Sequence, residues 1–164
     1  MPQRGLFVCL ILFLLLCSAC KRQETGPVRI AFDRDACSRC RMMISDRRFA
    51  SQIRTAGGTS YLFDDFGCAV NFADEKGILD LPETQIWVAE YHENEGIEQQ
   101  SVWLPAREAF YTDGVSSPMN FNLSAHKKGV KNSFDFSTAV ERIRKNEHQR
   151  TTGMSHMREG HHHE

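Results

Sequence analysis

Apolar and polar positions alternate in short runs along most of this chain, and they fall at helical spacing in only two places. Val28, Ile30 and Phe32 alternate, which predicts a strand over 28–32. A second strand is expected over 49–54, a turn at "AGG" (56–58), and a short strand over 60–63 that ends at "FDDFG". Phe66, Ala69, Val70 and Ala73 then form one helical stripe, with Asp64 or Asp65 as its cap and Gly77 as its stop. Strands are expected over 86–91 and 101–104, joined by the polar "HENEG", and shorter ones over 109–112 and 120–125. Asp135 or Ser137 opens a last helix whose buried face is Phe136, Ala139, Val140 and Ile143. From about residue 146 the periodicity dissolves into a polar, Met/His-rich tail, expected to be flexible. Short strands before each of two helices predict an α+β fold, with two ββα-type halves.

The first twenty residues stand apart. Arg4 and the amino terminus give a positive start, and 6–16 is an unbroken apolar run. That run is too short to span a bilayer, and small residues follow it, so 1–19 reads as a secretory signal. The segment resembles a bacterial lipobox, with Cys20 as the lipidated residue, although Cys17 stands where Leu is usual. The alternative is an ordinary secretory cut that leaves Cys20 free. Residues 20–27 then form a tether, and the expected location is the periplasm, anchored to a membrane.

Removal of 1–19 takes only Arg4 from the charged side chains, so 20 basic and 21 acidic residues become 19 and 21. No basic stripe points to nucleic acid. Four cysteines remain: Cys20, Cys37, Cys40 and Cys68. With Cys20 lipidated, three are left, and three cannot all pair in an oxidising compartment.

The candidate chemistry lies in "DACSRCRMMIS", 35–45. Thiols beside thioethers are soft donors that select Cu(I). In an extended segment, Cys40 and Met42 point to one side with about 7 Å between their backbones, while Met43 points the other way, into the core. Cys37 reaches the same ion if the chain turns. The plainer alternatives are a Cys37–Cys40 disulfide with Met42 and Met43 as packing residues. Cys68, in the first turn of the predicted helix, has its pKa lowered by the helix dipole. It completes a metal site, pairs with Cys37 or Cys40, or sits inert in the core. His126 is a lesser ligand candidate and His92 a solvated turn residue. The tail carries His148, Met154, His156, Met157 and His161–His163, which either collect copper loosely or are simply solvated.

"DACSRCRMMIS", "RRFASQI", "YLFDDFGCAVNFAD", "WVAEYHE" and "SPMNFNLSAHKKG", in that order, resemble the NosL copper lipoproteins, accessory proteins of nitrous-oxide reductase maturation. The resemblance implies Cu(I) held by Cys40 and Met42, with Met119 as a ligand from the second half. Arg41 and Met43 replace the Gly and the Tyr or Val often found there, and Asn120 stands where Gly is expected. The implied fold is like that of organomercurial lyases, with two ββαβ-type halves packed together over 28–84 and 85–145. The implied function is delivery of Cu(I) to nitrous-oxide reductase or another acceptor by a membrane-anchored protein that is not an enzyme. Two enzymatic alternatives stand beside it: a thiol–disulfide oxidoreductase using Cys37 and Cys40, and, by fold analogy alone, an organomercurial-lyase-like activity using Cys40, Cys68 and Asp65.

Overall fold

Ile53 sits at the centre of the main sheet, facing Tyr61 on one neighbouring strand and Ile86 on the other, and it is fully buried. Its strand, β1 (Ser51–Arg54), pairs antiparallel with β2 (Ser60–Phe63) and with β3 (Gln85–Ala89). The computed structural model describes residues 26–93 and 101–159; the expected signal at 1–19, Cys20 and His161–His163 lie outside them. Between β2 and β3 runs α1 (Phe66–Glu75). Then come β4 (Trp103–Pro105), β5 (Phe110–Thr112), β6 (Ser124–His126) and α2 (Phe136–Glu159). The sheet order is β2-β1-β3-β4, while β5 and β6 form a separate antiparallel pair. The fold is therefore α+β, with small antiparallel sheets and two helices among the described residues.

The order β-β-α occurs twice, as β1-β2-α1 and β5-β6-α2. A boundary at 84/85 nevertheless does not separate two sheets, because β3 and β4 join β1 and β2 in one ladder. Both helical stripes are where the spacing puts them. Phe66, Ala69, Val70 and Ala73 are buried, and so are Phe136, Ala139, Val140 and Ile143. Asp65, not Asp64, caps α1, and Asp135 caps α2 by accepting from the Thr138 N–H. Gly77 ends α1 in the left-handed region at φ 64°.

Three predicted elements differ. Residues 28–32 form no strand. β1 already has a partner on each side, so no ladder edge is left for them there. The Gln52 side chain substitutes for one, accepting from Val28 N at 2.8 Å and donating to Val28 O at 3.0 Å. Residues 120–125 yield a strand only from Ser124, because Asn120 and Asn122 lie at φ 58° and 60°, which a strand does not admit. The last helix runs to Glu159, through the stretch expected to be a flexible tail. Its extension beyond Ile143 lacks an apolar stripe but also lacks proline, and residues such as Glu147, Gln149 and Arg150 favour a helix.

Gly67 shows how the second β-β-α segment closes on the first. A Cβ built there would lie 2.1 Å from the ring of Phe121, so the ring rests on bare backbone at the start of α1. Gly67→Ala is expected to destabilise the fold by roughly 1–3 kcal/mol through overpacking. Urea unfolding measures it; unchanged stability would mean that the Phe121 ring is free to move aside.

Candidate metal centre

The segment carrying the two nearer cysteines is a tight reversal of the chain. Asp33 N donates to Ile44 O, Ile44 N to Asp35 O, and Ala36 bridges Met43. At its tip, Arg41 N donates to Cys37 O at 3.0 Å and Cys37 N to Met42 O at 2.8 Å. This closure puts Arg41 in the left-handed region at φ 67°. The position thus has the backbone of a glycine site, and an arginine there is strained by about 1–2 kcal/mol. Ser38 pins the tip to the edge strand β2: its N–H donates to Leu62 O, and its hydroxyl oxygen accepts from Leu62 N.

The reversal brings Cys37 and Cys40 onto the junction between β2 and α1. There the ligand atoms of Cys37, Cys40, Asp64 and Cys68 all lie within 4.8 Å of one another. Cys37, Asp64 and Cys68 are buried, and Cys40 is half-buried at the rim. All three cysteines are free thiols. The Cys40 thiol lies 3.5 Å from each Asp64 oxygen. Three sulfurs and one carboxylate can hold a metal ion. A site of this size and softness admits Cu(I), and four such donors also satisfy tetrahedral Zn(II).

The thiols are not equivalent. Cys37 is held down to about 4, chiefly by the hydrogen bond from the Cys68 thiol, against the opposing effect of burial. Cys68 is pushed far up, because it serves as that donor and is itself buried beside an anionic sulfur. The expected lowering of Cys68 by the helix dipole is therefore overturned: a neighbouring thiolate at hydrogen-bond distance outweighs partial charges spread over a helix end. Cys40 is pushed up to about 11, first by burial. Burial also raises Asp64 to about 6, with the Cys37 sulfur adding to it.

The segment is not extended, so the expected geometry for Cys40 and Met42 is replaced. The left-handed turn at Arg41 leaves Cys40 against the cluster and Met42 at the surface, 54% exposed, although the Met42 N–H is directed at the Cys40 sulfur. Met43, expected in the core, is 57% exposed. Met119 is half-buried, and its N–H donates to Asp65, the residue next to the cluster's Asp64. Asn120 does supply a left-handed turn there. His126 is not part of the cluster. Its Nε2 lies 3.1 Å from both the Thr112 and Ser124 hydroxyls, and its ring meets the edge of Tyr91. Asp65, named with Cys40 and Cys68 for the lyase alternative, is committed to capping. Sequence reasoning missed Asp64 as a donor. The signal was the acidic pair itself: a cap needs one carboxylate, and the other must go elsewhere.

Comparison of the chain with protein-family models, with curated proteins and with solved structures finds no match.

Metal must displace protons from Cys40 and Cys68, which neutral pH leaves protonated. Raising the pH removes that competition, so apparent affinity should climb from neutral pH towards the region of about 11 where Cys40 titrates. The slope should approach about tenfold per pH unit for each proton displaced. Competition titrations across pH measure it, and a flat profile would mean that these thiols are not ligands.

Proposed function

We propose that this chain carries Cu(I) as cargo in a site made by Cys37, Cys40 and Cys68, and hands it to an acceptor by ligand exchange. The observation that carries the reading is the convergence of three thiols and the Asp64 carboxylate within 4.8 Å. Thiolate ligands hold a soft monovalent ion tightly, and a low coordination number leaves room for an incoming ligand. Cys40, the half-buried thiol, and the exposed Met42 beside it are placed to meet that ligand first.

The resemblance of the sequence to the NosL copper lipoproteins adds the wider proposal. In it the protein is tethered through Cys20, faces the periplasm and supplies copper to nitrous-oxide reductase. The twofold β-β-α order is compatible with the ββαβ halves of that family. Met119 belongs to the proposal as a further sulfur, since its backbone is fastened to the residue beside the cluster. Tethering would confine the carrier near its acceptor and raise its effective concentration there.

A second reading, a thiol–disulfide oxidoreductase, draws on the low pKa of Cys37 and its partner at Cys40. Burial weighs against it: Cys37 is fully enclosed, whereas a redox nucleophile needs access.

Cu(I) titration of the reduced protein against a competing chelator separates the readings. Wild type should bind one ion tightly. Cys37→Ser or Cys68→Ser should weaken binding by at least about tenfold, the loss of roughly 1.4 kcal/mol or more with one thiolate donor. Met42→Leu and Met119→Leu, with X-ray absorption on the loaded protein, count the thioethers. A protein that ignores Cu(I) but catalyses dithiol exchange would make the second reading correct.

A further inference from the structure

Arg39 lies between Cys37 and Cys40 in the chain, yet its side chain turns away from the metal site and is only 23% exposed. Its Nε donates to Glu75 at 2.9 Å, and its Nη2 donates to Glu147 at 3.0 Å. Glu75 is the last residue of α1, and Glu147 lies on the polar extension of α2. The other oxygen of Glu147 accepts from Asn71 of α1 at 3.2 Å. One guanidinium therefore fastens the cysteine loop to both helices. The opposite side of the same tip is pinned through Ser38 to Leu62.

The route to the metal site makes this clamp consequential. Cys37 and Cys68 are fully buried and Asp64 is 1% exposed, so an acceptor's ligand must arrive at Cys40. Replacing the remaining ligands then requires the Cys37–Cys40 tip to lift away from Asp64 and Cys68. Lifting it breaks the Arg39 pairs. They are charge-assisted and partly exposed, so they are strong enough to hold the tip and weak enough to open.

We propose that Arg39 is a positioning residue of the metal centre, and that its clamp on Glu75 and Glu147 sets how fast the cysteine loop admits and releases metal. This rests on the metal-carrier reading, but the clamp itself can be tested without metal. Lysine is a point charge and cannot reproduce the two-pronged contact. Glu147→Gln keeps the shape of the side chain and removes the charge.

The test is alkylation by iodoacetamide of Cys37, which is fully buried until the tip lifts, in the full-length, reduced apo protein, followed by peptide mass spectrometry at low and high salt. Arg39→Gln, Arg39→Lys and Glu147→Gln should each react about two- to fivefold faster than wild type at low salt. High salt should accelerate wild type towards the variants and leave the variants nearly unchanged. Arg142, on the same helix, pairs with Asp113 away from the cysteine loop, and Arg142→Gln should react like wild type. Equal rates throughout, or acceleration by Arg142→Gln as well, would overturn the proposal. Far-ultraviolet circular dichroism confirms that each variant is folded, and Glu147→Gln keeps the test available if Arg39→Gln is not. A second arm measures Cu(I) release to a chelator, expected to accelerate in the same variants. Faster alkylation in a protein that takes up no copper would keep the clamp and reject the cargo. Copper binding with unchanged alkylation and release would do the reverse.

Discussion

Asp65 is a carboxylate almost sealed from solvent, and three donors converge on it: Gly67 N, the Ser117 hydroxyl and Met119 N. Burial raises its pKa, and the three hydrogen bonds oppose that shift. A buried carboxylate is tolerated only with such a set of partners. The consequences spread in both directions along the chain. The cap starts α1 at Phe66, which puts Cys68 in the first turn. The Ser117 and Met119 contacts dock the distant loop, with the Phe121 ring lying on Gly67. Because Asp65 is committed to the loop, its neighbour Asp64 is left facing the thiols.

The candidate metal centre is therefore an electrostatic compromise built on one helix start. Three thiols and a carboxylate within 4.8 Å cannot all be ionised without strong mutual repulsion. The proton distribution reflects this: Cys37 is the favoured thiolate, Cys40 and Cys68 are held as donors around it, and Asp64 is raised to about 6. A bound cation would replace the protons as the charge that holds the donors together. Sulfur makes up three of the four possible donors, and of the three thiols only Cys40 is half-buried rather than buried.

Two stretches of α2, before and after Ile143, are held by different forces. Up to Ile143 it packs through an apolar stripe. Beyond it, the described contacts to the rest of the fold are polar: Arg144 with Asp74, Asn146 with Asn120 O, and Glu147 with Arg39 and Asn71. Hydrophobic burial is insensitive to salt on this scale, whereas ion pairs between partly exposed groups are screened. The portion of the helix next to the cysteine loop is thus held mainly by contacts that respond to its ionic surroundings.

The sequence by itself determined the α+β class, both helices with their buried stripes, the hairpin of β1 and β2, and Cys37 and Cys40 as candidate metal donors. These are local properties: spacing, caps and turn residues act over a few positions, and soft donors announce themselves by type. Tertiary structure decided the rest. Residues 28–32 alternate like a strand, but β1 is flanked on both sides and Val28 pairs instead with the Gln52 side chain, which only the fold reveals. Met42 and Cys40 were expected on one side of an extended chain, but a left-handed Arg41 turned one outward and the other inward. The spacing of Cys37 and Cys40 could not show that their neighbours would be Asp64 and Cys68, more than twenty positions away. Nor could any local pattern choose which of two adjacent aspartates would cap the helix and which would join the sulfurs. That choice was made by Ser117 and Met119, which reach Asp65 only after the chain has folded back across α1.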